Sequence, residues 1–216
     1  MRRYLVTVAS FLFFCSMNAE PIRSALGAFR WYSNAVELPY DAEVEYLQST
    51  GTQWIDTGVL SRSDVDFTIY IQPLKGGDTK LFGVYGDASY IGTFGTSWRL
   101  ASGTFGWITY GTLDFNAITE ISLIGLEWYV DGEYVYTVRG RGNTNVTLKM
   151  FGWWYSGSLT KTPQRLFGLV IYQNGLKVRD FIPVRVGEEG CMYDRVTGEI
   201  FGNDGTGEFI VGPDKE

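Results

Sequence analysis

The side chains best suited to chemistry in this 216-residue chain are aromatic rather than nucleophilic: it carries 7 Trp, 14 Tyr and 14 Phe. Trp98, Trp107, Trp153, Trp154 and Tyr155 stand in or beside glycine-rich stretches. A ring so placed offers a broad amphipathic surface on which the apolar face of a sugar can stack, so these five are the candidate ligand-binding residues. Trp153 and Trp154 are adjacent, and on a strand they must point to opposite faces of the sheet. One of the pair therefore cannot lie in the same core as the other. The competing reading of Trp54, Trp98, Trp107 and Trp128 is packing, because aromatic side chains dominate core energetics.

Nucleophilic and metal chemistry is poorly served. The chain has no histidine, which removes Ser-His-Asp and Cys-His machinery, imidazole zinc sites and imidazole pH switching together. Its two cysteines are Cys15 and Cys191. Cys15 falls in the leader described below, so Cys191 reads as a lone thiol behaving as a small, partly buried hydrophobe. Retaining glycoside hydrolysis needs two carboxyl groups about 5–5.5 Å apart. The nearest pair on one strand face, Glu127 and Asp131, is separated by about 13 Å at ~3.3 Å per residue, too far for either usual mechanism. Glu188-Glu189 sits between glycines and reads as a solvated surface pair. Catalysis is not expected, and with a net charge of −6 neither is a nucleic-acid partner.

The elements that must position these rings are strands. Glu127 to Val138 is the stretch around which the chain is organised, two runs rich in β-branched and aromatic residues flanking Asp131-Gly132. Asp-Gly favours a type I′ turn, so a tight hairpin is predicted, with Trp128 and Val130 on its buried face and Glu127, Tyr129 and Asp131 on the other. Val65 to Gln72 alternates cleanly, placing Val65, Phe67, Ile69 and Ile71 on one face. Further strands are expected at 43–47, 53–57, 80–85, 90–93, 98–101, 104–110, 118–124, 146–154, 165–172 and 176–184, with Asn174-Gly175 as a second hairpin turn. Arg165 to Tyr172 is nearly continuously apolar and reads as a central strand. Short segments at 192–194, 200–201 and 209–211 close the chain. Many short strands with closely spaced turns predict an all-β fold, a two-sheet antiparallel β-sandwich, with a closed barrel as the alternative.

The first 37 residues differ in character. Met1-Arg2-Arg3 followed by an apolar run to Cys15 has the form of a secretory signal, giving residues 1–19 as signal peptide with cleavage after Ala19. Residues 20–37 read as a short amphipathic helix and linker, and 38–216 as the domain. A secreted or cell-surface location follows, with no stable membrane insertion once the signal is removed, since the apolar run falls short of the about 20 residues a spanning helix needs.

Glu45-Tyr46-Leu47-Gln48-Ser49-Thr50-Gly51-Thr52-Gln53-Trp54-Ile55-Asp56-Thr57-Gly58 resembles the opening of the concanavalin A-like (LamG-type) jelly-roll domains of secreted gut-bacterial and phage structural proteins. Trp128 to Glu133 is similar to their hairpin, and Arg179 to Arg185, Tyr193 to Gly198 and Gly205 to Gly207 are similar to their C-terminal end. The resemblance implies two stacked antiparallel sheets, one concave, and a glycan or glycosylated surface as partner. Glucanases among these proteins carry Glu-x-Asp-x-x-Glu, which is absent here. Some relatives hold calcium with hard oxygen ligands, for which Asp194, Asn203 and Asp204 are the candidates, although Asn-Asp-Gly is also ordinary turn chemistry. The expected function is non-catalytic carbohydrate binding or adhesion. The alternatives are a structural or receptor-binding module of a phage tail or bacterial surface with a protein partner, and an atypical glycoside hydrolase whose carboxylates meet across strands.

Overall fold

The computed structural model describes residues 38–84, 89–102 and 106–216, with only the backbone of Tyr155. The signal, its cleavage and the short helix lie outside the described residues. Those described fold into an all-β sandwich of antiparallel sheets, consistent with a jelly roll. The larger sheet has the order β11 (Glu133–Thr137), β10 (Glu127–Val130), β9 (Thr119–Ile124), β4 (Val65–Pro73), β15 (Gln164–Gln173), β16 (Leu176–Val186), β17 (Glu189–Asp194), β18 (Glu199–Phe201). Beside that path, β1 (Ala42–Glu43) pairs with β16, and β2 (Leu47–Ser49) pairs with β15 and β19 (Ile210–Val211). The smaller sheet runs β3 (Ile55–Leu60), β12 (Thr147–Met150), β5 (Thr79–Gly83), β6 (Ser89–Phe94), β7 (Ser97–Ser102), β8 (Trp107–Tyr110). A separate hairpin joins β13 (Gly152–Tyr155) to β14 (Ser158–Lys161).

Period-2 alternation decides what meets between the sheets. Phe67, Ile69 and Ile71 of β4, Ile121 and Leu123 of β9, and Leu166, Leu169 and Ile171 of β15 supply one wall. Ile55, Leu81, Phe82, Ile91, Trp98, Leu100, Leu148 and Met150 supply the other, all buried in the same cluster. Each fully buried Leu, Ile or Phe contributes roughly 1.5–3 kcal/mol. Trp128 is completely enclosed, its ring edge-on to Phe67 at 5.7 Å.

Among the described residues, three turns place a positive φ on both central residues, as type I′ hairpins require. They are Asp131-Gly132 (50° and 79°), Asn174-Gly175 (52° and 75°) and Ser156-Gly157 (46° and 86°). The third joins β13 to β14, and the single strand that the sequence suggests over 146–154 is divided at residue 151. Phe151 is the reason: it takes φ 67° while its side chain stays buried against Phe209. That left-handed kink ends β12 and turns the chain into β13. The expected first strand at 43–47 is likewise two elements, since β1 pairs with β16 and β2 with β15. Strand pairing puts β15 between β4 and β16, as its apolar sequence predicts.

Candidate ligand-binding face

The outer surface of the smaller sheet gathers most of the chemistry. Across β5, β6, β7 and β8 the register aligns Lys80, Gly92, Arg99 and Thr109 in one row, and Gly83, Tyr90, Ala101 and Trp107 in the next. These side chains point away from the core because Leu81, Ile91, Trp98, Leu100 and Ile108 occupy the alternate positions facing inward. Phe94 and Trp107 are exposed, at 58% and 54% of their surface. Between them lies Arg99, its guanidinium carbon 4.9 Å from the Trp107 ring centre and 5.8 Å from that of Phe94. Such cation–ring contacts are worth about 0.5–1 kcal/mol at exposed sites and hold both partners in place.

Trp153 lies beside this patch. Its ring stands edge-on to Tyr90 at 4.2 Å, packs with Ala101, and is capped by the Lys80 ammonium at 4.6 Å. Gly92 makes room: a Cβ there would fall 3.8 Å from the Trp153 ring and 2.3 Å from the carbonyl oxygen of Thr79. Asp78 completes the surface by accepting a hydrogen bond from the Lys80 ammonium and standing 3.8 Å from Arg99 Nη1. The result is a half-open aromatic ring flanked by fixed charges, which can stack on a sugar face and hydrogen-bond its hydroxyls.

The five rings predicted to bind ligand separate. Trp107 is offered to solvent, and Trp153 shares its face but is 4% exposed, a floor rather than a stacking surface. Trp98, also 4% exposed, faces the main core, so burial removes it from the set a ligand could reach. Trp154 turns opposite to Trp153, as adjacent strand residues must, and packs half-buried against the core at a cavity of about 210 Å³ lined by Asn145, Val146, Thr147 and Lys149. The side chain of Tyr155 lies outside the described residues. Sequence reasoning missed Phe94, Arg99, Lys80 and Asp78. The signal was available in Gly95, at φ 63° in the position where a type II′ turn puts glycine. Pairing the two predicted strands across it sets Arg99 opposite Gly92.

The carboxylates that the sequence offers for catalysis or metal binding are held in structural hydrogen bonds or stand exposed. Glu127 accepts from the Tyr129 hydroxyl, and Asp131 from the Glu120 amide at 2.9 Å. Glu188 and Glu189 are both exposed. Asp56 of β3 and Asp204, in the turn between β18 and β19, line one cavity of about 350 Å³, with Asp204 Oδ2 accepting a hydrogen bond from the Asp56 amide at 2.9 Å. Burial would raise the Asp56 carboxyl, but hydrogen bonds from Lys149, Thr147 and Gly58 outweigh it and hold the group below its ordinary value. A carboxyl held below its ordinary value is poorly suited to the general-acid role, for which glycosidases raise the pKa. The Asp194 oxygens accept from the Asp180 and Val196 amides and the Thr197 hydroxyl. Asn203 Oδ1 accepts from the Trp54 and Gly205 amides. The proposed calcium ligands therefore organise turns, and among the described residues no group of three or more Asp, Glu, His or Cys is placed to hold a metal.

No protein-family model and no curated protein matches the chain. Among solved structures, a Bacteroides ovatus protein provisionally named a carbohydrate-binding protein aligns with a TM-score of 0.55 and 10% identity, over 81% of this chain and 61% of that one. The chain thus spans about three fifths of that protein's length, and at this identity the likeness concerns the fold alone. A Trypanosoma rangeli sialidase mutant with trans-sialidase activity aligns at a TM-score of 0.41 and 15% identity, over 53% of this chain and 21% of that one. Sialidase from the same organism bound to 2,3-difluorosialic acid aligns at 0.36 and 14%, over 64% and 25%. Those two alignments are too partial to carry an argument, and what is established is an all-β antiparallel sandwich similar in fold to the Bacteroides ovatus protein.

Proposed function

We propose that the protein is a non-catalytic carbohydrate-binding module that holds its glycan on the outer face of the smaller sheet. The observation that carries this reading is Trp107, more than half exposed yet pinned by Arg99 on a strand. An exposed tryptophan held rigid loses little entropy when a sugar stacks on it, and the neighbouring Asp78, Lys80 and Arg99 supply the polar contacts that orient a ligand. The name given to the Bacteroides ovatus protein supports the same reading. So does the leader sequence, from which we propose that the module is exported and meets its glycans at or beyond the cell surface.

The test is a glycan array of plant, microbial and mucin oligosaccharides probed with the full chain. Saturable binding to a coherent class of glycans supports the reading, and no binding across the array overturns it.

A second reading rests on a different surface. Ile124, Leu126 and Tyr134, at the β9–β10–β11 end of the larger sheet, are 54%, 43% and 56% exposed. Apolar groups of this size suit a protein partner in an adhesive or structural assembly. A stable oligomer in sedimentation analysis, dispersed by Ile124→Ser together with Leu126→Ser, would favour it.

A further inference from the structure

The proposed glycan face also carries a cation whose donors the described residues do not use. Among them the Arg99 guanidinium finds no hydrogen-bond acceptor. Its Nε is shielded from water without a partner, and the Asp78 carboxylate stands 3.8 Å from Nη1, beyond hydrogen-bond length. Asp78 is instead drawn to Lys80, whose ammonium also bonds the Asp78 carbonyl oxygen at 3.3 Å and sits over the Trp153 ring. Lys80 and Asp78 thus satisfy one another. Arg99 is left with the faces of Trp107 and Phe94, which attract its charge but take none of its five N–H groups as strong hydrogen bonds.

We infer that this face selects glycans bearing a carboxylate, a uronic acid or another sugar acid, with the terminal nitrogens of Arg99 receiving both carboxylate oxygens while the pyranose ring stacks on Trp107. The inference rests on the glycan-binding reading and gives it a ligand class. A planar two-oxygen anion matches the rigid fork of a guanidinium, where a neutral hydroxyl uses one donor and leaves the charge uncompensated. The local balance agrees, since among the described residues two cations, Lys80 and Arg99, pair with one carboxylate, Asp78. This excess of positive charge stands on a chain whose net charge is −6. General attraction of polyanions by the whole molecule is therefore ruled out, and recognition must be local.

The experiment titrates the full chain by calorimetry with matched pairs of oligosaccharides containing galacturonate, glucuronate or mannuronate, each acid beside its neutral methyl ester. The expected result is that for at least one pair the acid binds tenfold or more tightly than the ester at 50 mM NaCl, and that the gap narrows at 500 mM as charge is screened. Arg99→Gln should bring the acid down to the affinity of its ester, and Arg99→Lys should restore part of the gap, because it returns the charge without the fork. Equal affinity for every acid and its ester overturns the inference while leaving glycan binding standing. A gap that persists in Arg99→Gln overturns it too, as does a sulfated oligosaccharide of the same backbone binding as tightly as the acid. Failure of every acid and ester here, joined to a blank glycan array, sinks this inference and the glycan-binding reading together.

Discussion

Trp107 and Trp128 show how little residue type says about role. Both are tryptophans on short strands, yet Trp107 is 54% exposed and Trp128 is fully enclosed. Position within the pleat makes the difference: Trp128 takes the inward place beside Phe67, while Trp107 takes the outward place beside Ala101. Trp128→Ala should cost about 3–5 kcal/mol in urea denaturation, the range for emptying a large aromatic site. Trp128→Phe should cost distinctly less, because among the described residues the indole Nε1 is buried without a partner and its loss removes an unsatisfied donor. If phenylalanine costs as much as alanine, the packing account of this site is wrong. Cys191 agrees with its sequence reading as a hydrophobe, buried with Ile182 and Val184, its thiol pushed up by desolvation and by the charge of Glu189.

At the scale of elements, the turns were the most legible feature of the sequence. Asp131-Gly132 and Asn174-Gly175 form the predicted hairpins because the turn type demands left-handed backbone at both positions. Gly132 has open space around it, so a substitution there tests backbone strain without a steric clash. Gly132→Val should destabilise the fold by about 1–3 kcal/mol, measured as a shift in the denaturation midpoint; no shift would mean the hairpin is not held in this conformation. The division of residues 146–154 at Phe151 was not legible, since a non-glycine residue at φ 67° leaves no mark on an apolar run. The binding face was hidden for a related reason. Arg99 and Trp107 meet only through the register of β7 on β8, and register across those strands depends on long-range pairing rather than on local pattern.

For the molecule as a whole, acid stability follows from the ion pairs that tie its parts together. Asp56 on β3 is bound by Lys149 of β12, and Asp180 on β16 by Arg195 and Lys177. Burial would raise both carboxyls, but the hydrogen bonds from these cations prevail and hold both below their ordinary value. The unfolded chain, with carboxyls near about 3.9, therefore takes up protons before the folded one does. This contribution to stability is complete above that value and is lost as pH falls through it towards the lowered folded values. Thermal melting should accordingly hold nearly level from pH 7 to 5 and drop below about pH 4, and Asp180→Asn should make the drop shallower. An unchanged acid limb in that variant would contradict the assignment. The sandwich itself was readable from the density of short strands and turns, whereas its ligand face required the packed sheets.

The central claim, that Trp107 is the stacking ring of a glycan site, is tested most directly by titrating the best-bound glycan against the full chain, Trp107→Ala and Tyr134→Ala. Trp107→Ala should weaken binding tenfold or more, about 1.4 kcal/mol, with an unchanged melting temperature. Tyr134→Ala, on the other sheet, should bind as the parent does. Undiminished binding by Trp107→Ala, or an equal loss in both variants, would contradict the account.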